Sequence, residues 1–282
     1  MKRVSCTYLR TITFTPCRRK RMEDKHSHGT LYGIGVGPGD PELMTLKALR
    51  LIRELPVIAV PGECAEEATA YQIAVQAAPE LRHKQLLPIP VPMRLKREAL
   101  QEVHRRGAEQ LEEVLRQGRS VGMLCLGDPT IYASFSYLEA LVRADGFATE
   151  YVSGVPSFCA AAAALGEPLA RWDEPLHIVP ALHFLRREGN SGEDGNSLQN
   201  SVAAQQSERE NAAGLPGDGT LVLMKSGRSL LAMKEQLAGS GRSLMMVENC
   251  GLPGEKRYRS AEELPEQAGY FSIVIARIGD AT

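Results

Sequence analysis

The sequence lacks the features that would place the chain in several large classes of protein. Its 282 residues include 6 cysteines but no CxxC pair, and aromatic residues make up only 5% of the chain. No apolar run approaches the roughly 18 residues of a membrane helix, so we expect no membrane partner. A formal net charge of -1 argues against general nucleic-acid binding. The scattered cysteines favour buried thiols in a reducing compartment, which predicts a cytoplasmic protein without a disulfide framework or a metal site.

Motifs of hydrolytic and metal chemistry are also absent from the sequence. There is no GxSxG nucleophile elbow and no HExxH pair. His83, His104, His177 and His183 are too scattered to form a ligand set by spacing. The chain therefore does not resemble a hydrolase or a zinc enzyme.

The most informative segment that is present runs from Leu31 to Ile52, LYGIGVGPGDPELMTLKALRLI. The apolar run 31–36 predicts a buried strand, and glycines crowd its end. Asp40 is predicted to cap an amphipathic helix that begins at Pro41. A strand, a glycine turn and a helix N-terminus in this order bring backbone close to a polar small molecule. A tight turn without a ligand is the alternative interpretation of the same segment.

Two common nucleotide-binding loops fit this segment poorly. A phosphate loop needs Gly-Lys-Ser/Thr before its helix, whereas the chain has Gly39-Asp40-Pro41. In a GxGxxG dinucleotide loop the third glycine would fall where Pro38 stands. The acidic residue that such a fold needs after its second strand is at best Glu63, so an NAD-dependent dehydrogenase is a poor alternative. A ligand with hydroxyls or a positive charge suits the aspartate better than a phosphate does.

The first half of the chain alternates strands with helices and predicts a parallel α/β sheet. The expected strands are 31–36, 56–60, 86–91, 121–126 and 149–152, and the helices after the first are 65–78, 96–117, 132–144 and 158–165. Loops rich in glycine follow three strands, at 33–40, 127–130 and 153–157. All three must emerge at the carboxyl edge of the sheet, where α/β folds bind ligands.

The second half predicts a mixed sheet. Its expected strands are 176–180, 220–225, 243–248 and 270–277, with helices at 229–238 and 261–266. We therefore predict an α/β protein of two α/β domains, 30–170 and 171–282, with the ligand in the cleft between them. Residues 1–29 are basic and without amphipathic period, and 187–218 have a composition that cannot bury enough apolar surface; both are predicted to be disordered.

S-adenosylmethionine, a methyl donor, is a ligand whose chemistry fits these glycine loops and their aspartates. The donor has a sulfonium and no phosphate, so an aspartate near the loops is tolerable. Alignment of a donor with an already nucleophilic carbon supplies about 7–11 kcal/mol of the barrier, so little acid–base help is needed.

Several segments, in order, resemble the tetrapyrrole methyltransferases, the class III S-adenosylmethionine fold of cobalamin and sirohaem synthesis. They are GIGVGPGDPELMTLKALRLI from Gly33, LGDPTIYASFSYL from Leu126, VSGVPSFCAAAAALG from Val152, TLVLMKSGRS from Thr220 and VENCGLPGEK from Val247. The resemblance covers roughly 30–278. Within the family, LPIPVPM at 87–93 and MKSGR at 224–228 look most like the branch that methylates carbon C(20) of precorrin-2 or cobalt-factor II.

The resemblance implies a set of donor-binding residues. They are Gly35, Gly37, Pro38, Leu126, Gly127, Asp128, Ile131, Ser157, Phe158, Met224, Lys225, Cys250 and Gly251. A helix cap is the alternative role for Asp128, and core packing is the alternative for Ile131 and Phe158.

It also implies an acceptor, a large ring with eight carboxylates, which basic residues at the rim would bind. The candidates are Arg94, Arg97 and Arg228, together with Lys96, Arg171 and Lys225, so that Lys225 is a candidate for either ligand. Asp40 is a weak candidate for a catalytic group that orients the acceptor or accepts the proton from C(20).

The sequence thus predicts a cytoplasmic, homodimeric methyltransferase that uses S-adenosylmethionine to methylate C(20) of cobalt-factor II or precorrin-2. The alternatives are a methyltransferase of the same family that acts on another ring position, and a non-catalytic metabolite-binding protein on the same fold.

Overall fold

The computed structural model describes residues 28–92, 97–186 and 218–278. Of the segments predicted to be disordered, 1–29 and 187–218, all but 28, 29 and 218 lie outside the described residues; Gly29 is buried, and its nitrogen donates to Leu115 O at 2.8 Å. Among the acceptor-binding candidates, Arg94 and Lys96 also lie outside the described residues and the side chains of Arg97 and Arg228 are not described, whereas Arg171 and Lys225 are described and exposed.

The first sheet is parallel throughout, with strand order β3-β2-β4-β1-β5. Its strands are β1 (Thr30–Gly35), β2 (Val57–Pro61), β3 (Gln85–Ile89), β4 (Val121–Cys125) and β5 (Ala148–Val152). The predicted parallel sheet is confirmed. All carboxyl ends therefore meet at one edge, where the loops after β1, β4 and β5 lie side by side.

Helices cover both faces of this sheet. They are α1 (Leu46–Glu54), α2 (Thr69–Ala77), α3 (Arg97–Arg116) and α4 (Phe135–Ala144). Ile34 and Ile58 pack with α1 and α2. Leu31 and Met123 pack with α3 and α4 on the opposite face. Burial on both faces explains why the inner strands β2 and β4 have continuous apolar sequences, whereas the edge strand β5 is largely exposed.

The second sheet has the order β6-β7-β10-β8-β9 and is mixed, as predicted. Its strands are β6 (Leu176–Pro180), β7 (Thr220–Met224), β8 (Arg242–Glu248), β9 (Lys256–Tyr258) and β10 (Ser272–Ile278). Only β6 and β7 run parallel to each other.

Helices also pack on both faces of the second sheet. The helix α5 (Ser157–Leu165) lies on the face of Val222 and Ile275. The helices α6 (Ala181–Arg186) and α7 (Leu230–Leu237) cover the face of Leu221 and Val274.

Three predicted helix boundaries are wrong for identifiable reasons. The helix expected from Pro41 is a short 3-10 turn, Pro41–Leu43, and α1 begins only after Thr45, whose hydroxyl accepts from Ala48 N. The helix α4 begins at Phe135 because Tyr132 has a φ of 48°, which no right-handed helix permits. The helix predicted at 261–266 is only a turn. Pro265 disfavours helical backbone at the residue before it.

The sequence analysis also missed two elements, β9 and α6. Both are too short to show a clear apolar period: α6 has six residues, and β9 has three, of which Lys256 and Arg257 are exposed.

Candidate functional site

The loops after β1 and β4 are joined by their backbones. Gly37 N donates to Gly127 O at 3.3 Å, and Gly127 N donates to Gly37 O at 2.8 Å. Val36 N donates to Cys125 O at 2.9 Å just before this pair. Two of the three glycine loops thus form one continuous surface at the edge of the sheet.

The carboxylate of Asp128 joins the third loop to them. Asp128 is buried, and its Oδ1 accepts from the backbone nitrogen of Thr130 at 2.8 Å and from the Thr130 hydroxyl. Its Oδ2 accepts from Gly154 N at 2.9 Å. The side chain is thus a cap for its own loop and a tie to the loop after β5.

The glycines of these loops are needed because the loops touch one another. A Cβ at Gly35 would lie 2.6 Å from Gly154 N and 2.7 Å from Gly127 O. A Cβ at Gly154 would lie 2.1 Å from Gly127 O. The sequence predicts that these glycines bring backbone close to a small molecule, but at Gly35 the adjacent space is filled by the protein's own backbone.

The turn at 249–252 brings the second sheet into direct contact with the glycine loop. A Cβ at Gly39 would lie 2.5 Å from Cys250 O, and one at Gly251 would lie 2.6 Å from Asp40 N. Glu255 fixes this turn by accepting from Gly251 N at 2.7 Å. That backbone hydrogen bond, followed by Arg257, lowers the pKa of the Glu255 carboxyl.

A cleft of about 230 Å³ lies between these loops and the second sheet. It brings together these residues predicted to bind the donor: Pro38, Leu126, Gly127, Ile131, Ser157, Met224, Lys225 and Cys250. The remaining predicted residues do not line it: Gly35, Gly37, Asp128, Phe158 and Gly251. Gly35, Gly37 and Asp128 hold the loops together, Gly251 abuts Asp40, and Phe158 packs in the core between α5 and the second sheet.

The sequence analysis missed the wall of the cleft formed by Tyr270, Phe271, Ser272 and Ile273. These residues lie at the start of β10, which is antiparallel to β7, so Ile273 stands opposite Met224 at the carboxyl end of β7. A prediction that β10 pairs antiparallel with β7 would have placed these residues beside the carboxyl end of β7, and so in the cleft. Pro61, Tyr132, Ser134 and Leu252 also line the cleft.

Three residues other than glycine have left-handed backbone in or beside the lining of the cleft. Tyr132 has a φ of 48°, Lys225 of 61° and Asn249 of 54°. Tyr132 and Lys225 line the cleft, and Asn249 precedes Cys250 in its wall. Such backbone costs free energy in residues other than glycine and is concentrated at functional sites. Tyr132 also donates its hydroxyl to Ile178 O at 3.1 Å, across to the second sheet.

The lining is apolar apart from a few groups. Lys225 is the one charged residue among the described residues that line the cleft, and its Nζ lies 5.9 Å from the ring centroid of Tyr270. Burial raises the pKa of the Cys250 thiol to about 11 and raises that of Cys125 further. Both thiols are therefore protonated at neutral pH and are poor nucleophiles. Such a lining can bind and align ligands but offers no strong base.

Asp40 does not line the cleft. Its Oδ1 accepts from Glu42 N at 2.8 Å, which makes it the cap of the 3-10 turn. Its catalytic role stays a prediction from the sequence.

The expectation that the cysteines are buried is wrong for two of them. Cys125 and Cys250 are buried, but Cys64 and Cys159 are exposed. Cys159 lies on the solvent side of α5, a position that an alanine-rich helix does not reveal from its sequence. Among the described residues, we find no cluster of three metal-ligating side chains and no helix long and apolar enough to cross a membrane.

Comparison with known sequences places these features in one family. The sequence profile of the tetrapyrrole (corrin/porphyrin) methylases matches residues 30–265. A probable cobalt-precorrin-2 C(20)-methyltransferase of Methanocaldococcus jannaschii is 37% identical over 53% of this chain and 63% of its own length. The cobalamin biosynthesis protein CobIJ of Mycobacterium tuberculosis is 31% identical over 88% of this chain and 46% of its own length. The chain thus spans less than two thirds of these two relatives.

A relative of matching length and two solved structures agree with that profile. The precorrin-2 C(20)-methyltransferase of a Sinorhizobium species is 27% identical over 88% of this chain and 94% of its own length. The crystal structure of a cobalt precorrin-4 methyltransferase superposes with a TM-score of 0.64, at 21% identity over 91% of this chain and 98% of the other. A uroporphyrin-III C-methyltransferase of Thermus thermophilus, solved with S-adenosylhomocysteine, gives a TM-score of 0.54 at 22% identity, over 88% of this chain and 97% of the other.

Proposed function

The chain belongs to the family of tetrapyrrole (corrin/porphyrin) methylases, and from that premise we propose that it is an S-adenosylmethionine-dependent C-methyltransferase. We propose as its acceptor precorrin-2 or cobalt-factor II, methylated at the meso carbon C(20). Relatives from two organisms that carry C(20)-methyltransferase names support this choice of acceptor.

The observation that carries the proposal is the composition of the cleft. Residues of all five segments that resemble family motifs come together there: Pro38, Gly127, Ser157, Met224 and Cys250. The walls are mostly apolar, the thiols are protonated, and the described lining residues include no cluster of basic side chains to hold a phosphate. A sulfonium nucleoside without phosphate suits such walls.

The residues take different roles in the proposed donor site. Leu126, Gly127, Ile131 and Ser157 contact the donor from the first sheet. Met224 and Cys250 close over it from the second. Asp128 acts through the loops that it holds, and Gly35, Gly37 and Gly251 let those loops and the 249–252 turn approach. Arg94, Arg97 and Arg228 stay candidates for the acceptor rim, on the sequence alone.

The donor, when bound, supplies an electrophilic methyl group. The acceptor carbon C(20) is electron-rich, so the bond from carbon to methyl forms as the carbon–sulfur bond breaks and its electron pair stays on sulfur. C(20) then loses a proton to a base, for which Asp40 is the weak candidate and water or the ring are the alternatives. The chain's own contribution is to align the two reactants, which is worth about 7–11 kcal/mol.

The alternative within the family is methylation at another ring position. It stays open because a cobalt precorrin-4 methyltransferase has the same fold. A non-catalytic metabolite-binding protein is the alternative outside the family. We also propose a cytoplasmic homodimer, on the resemblance to the family; light scattering that gives the mass of a monomer would contradict the dimer.

Product analysis tests the function. The protein is incubated with donor carrying a 13C-labelled methyl group and with precorrin-2 or cobalt-factor II in parallel, and NMR locates the label. Label at C(20) is the expected result, and the better of the two acceptors shows whether cobalt is inserted before methylation. Label at another carbon supports the alternative within the family. Binding of S-adenosylhomocysteine without any transfer to either acceptor supports the binding protein.

A further inference from the structure

Lys225 has an unusual position in the cleft. It follows β7 directly, its φ is 61°, and its side chain is exposed. Its ammonium lies over the ring of Tyr270, whose own ring meets that of Phe271 edge-on at 5.3 Å. The aromatic pair thus supports a single cation at the wall of a cleft whose other described lining residues carry no charge.

The charge of the two ligands decides which one this cation suits. The methyl donor carries a sulfonium and an ammonium against one carboxylate, so its net charge is positive. Apolar walls weaken the screening between charges, so a second cation nearby disfavours the donor. A reduced tetrapyrrole acceptor of the proposed reaction carries several carboxylates and no fixed cation. Lys225 therefore complements the acceptor and opposes the donor.

We infer that Lys225 is a specificity-determining residue that binds a carboxylate of the acceptor ring, positioned for it by Tyr270. The inference rests on the proposed function, and it decides between the two roles that the sequence left open for Lys225. An ammonium has three donor hydrogens, so Lys225 can donate to an incoming carboxylate while it stays over the ring. A cation–π contact at an exposed site is weak, and it holds the lysine at the wall of the cleft by an amount that corresponds to a severalfold change in binding. Tyr270 is 45% exposed, so this contact is of that kind.

The test compares Lys225→Met, Lys225→Arg and the control Lys256→Met. Met and Arg keep an unbranched stem at the same left-handed backbone, so the variants differ mainly in charge. Lys256 is an exposed lysine of β9 that does not line the cleft. Calorimetry gives the Kd of S-adenosylmethionine and S-adenosylhomocysteine, and initial rates give KM and kcat for the acceptor.

We expect Lys225→Met to raise the acceptor KM about tenfold, the size of one hydrogen bond to a charged group. Lys225→Arg restores most of that loss. The Kd of S-adenosylhomocysteine stays within about twofold, and S-adenosylmethionine binds Lys225→Met as tightly as wild type or more tightly, because a repelling cation is gone. The salt dependence of the acceptor KM becomes shallower in Lys225→Met. Lys256→Met leaves every value unchanged.

Tyr270 provides a second test that leaves the lysine in place, in case Lys225→Met does not fold. Tyr270→Leu should raise the acceptor KM severalfold, while Tyr270→Phe, which keeps the ring, should not.

Weaker binding of both donor forms by Lys225→Met, with an unchanged acceptor KM, would overturn the inference and make Lys225 a donor residue. If wild type binds S-adenosylhomocysteine but methylates no tetrapyrrole, the proposed function fails, and this inference fails with it. Wild-type transfer together with an unchanged acceptor KM in Lys225→Met overturns this inference alone.

Discussion

At the scale of single residues, Asp128 shows how a motif position can be essential without lining the cleft. Its two carboxylate oxygens accept from Thr130 and Gly154 and so hold two loops together. The sequence offered two roles for it, ligand contact and helix cap. The structure shows no helix cap at Asp128, since α4 begins only at Phe135 after its N-cap Ser134. Asp128 caps its own turn and also ties two loops through Gly154, a residue far along the chain, so this role cannot be read from the local motif.

We expect Asp128→Ala to lower the free energy of unfolding by about 2 kcal/mol, because buried donors lose their charged acceptor. We also expect it to weaken binding of S-adenosylhomocysteine about tenfold, because the loops separate. Urea unfolding and calorimetry measure the two effects. Thr130→Val, which keeps the carboxylate and both backbone donors, is the control. A loss of about 1 kcal/mol with unchanged affinity would make Asp128 a cap only.

The carboxyl of Glu255 predicts that the stability of the fold depends on pH. Its folded pKa lies below the ordinary value of 4.5, because it accepts from Gly251 N and pairs with Arg257. A depressed carboxyl pKa stabilises the fold above the unfolded pKa, and this stability is lost as the pH falls through the folded pKa.

We therefore expect Glu255→Gln to be less stable than wild type at pH 7, by up to about 1 kcal/mol. The difference should shrink as the pH falls below 4.5 and through the lower folded pKa, since the unfolded chain takes up the proton first and the folded carboxyl last. Urea unfolding at several pH values measures it, with the exposed Glu266→Gln as control. A difference that is constant with pH would show that the charge of Glu255 is not what holds the turn.

At the scale of elements, apolar runs predicted the sheet strands closely, and the signal is clearest for inner strands such as β4, which are buried on both faces. The sequence located 176–180 and gave 121–126 against an observed Val121–Cys125. Boundaries that depend on one residue's backbone were missed. Because of the left-handed backbone at Tyr132, α4 begins later than predicted. The helix α1 begins only after its N-cap Thr45, and the segment before Pro265 is a turn instead of the predicted helix.

The lining of the cleft could also be predicted only in part. Loops at the carboxyl edge of a parallel sheet could be placed together by topology, so Pro38, Gly127 and Ser157 were anticipated in the cleft. Tyr270 and Phe271 were not, because they lie just before β10, at the amino end of a strand. Only the antiparallel pairing of β10 with β7 brings them there, and such pairing is not fixed by the pattern within one strand.

Gly35→Ala tests the packing of the glycine loops. A single methyl group there would meet Gly154 N and Gly127 O, and backbone cannot yield as a flexible side chain can. We expect a loss of about 2–3 kcal/mol in the free energy of unfolding. Gly146→Ala is the matched control, since it adds the same group at a φ of 91° with no atom within 4 Å. We expect about 1 kcal/mol there; equal losses would contradict the steric account.

At the scale of the whole molecule, the two sheets are joined through loops instead of through a shared strand. Gly39 meets Cys250, and Tyr132 bonds to Ile178 O. The chain passes from one half to the other near Trp172, the one tryptophan in the sequence. Its side chain is fully exposed.

We expect the fluorescence of Trp172 to have the red emission of a tryptophan in water and to be fully quenched by iodide. It should shift little when urea unfolds the protein, so that circular dichroism must be used to follow unfolding. Addition of S-adenosylhomocysteine should leave the emission unchanged, because Trp172 does not line the cleft. A blue emission in the native protein would show that another segment or a second copy covers this junction.

The cleft has one further consequence, because its walls belong to both halves. A ligand that fills it acts as a non-covalent cross-link, and its binding is thermodynamically linked to the docking of one half on the other. At a concentration one hundred times its Kd, a ligand adds about 2.7 kcal/mol to the stability of the state that binds it. The linkage is reciprocal, so any contact that keeps the halves docked raises the affinity for the ligand by the same factor. The hydrogen bond from the Tyr132 hydroxyl to Ile178 O thereby contributes to ligand affinity, because it is one of the contacts that keep the two halves docked.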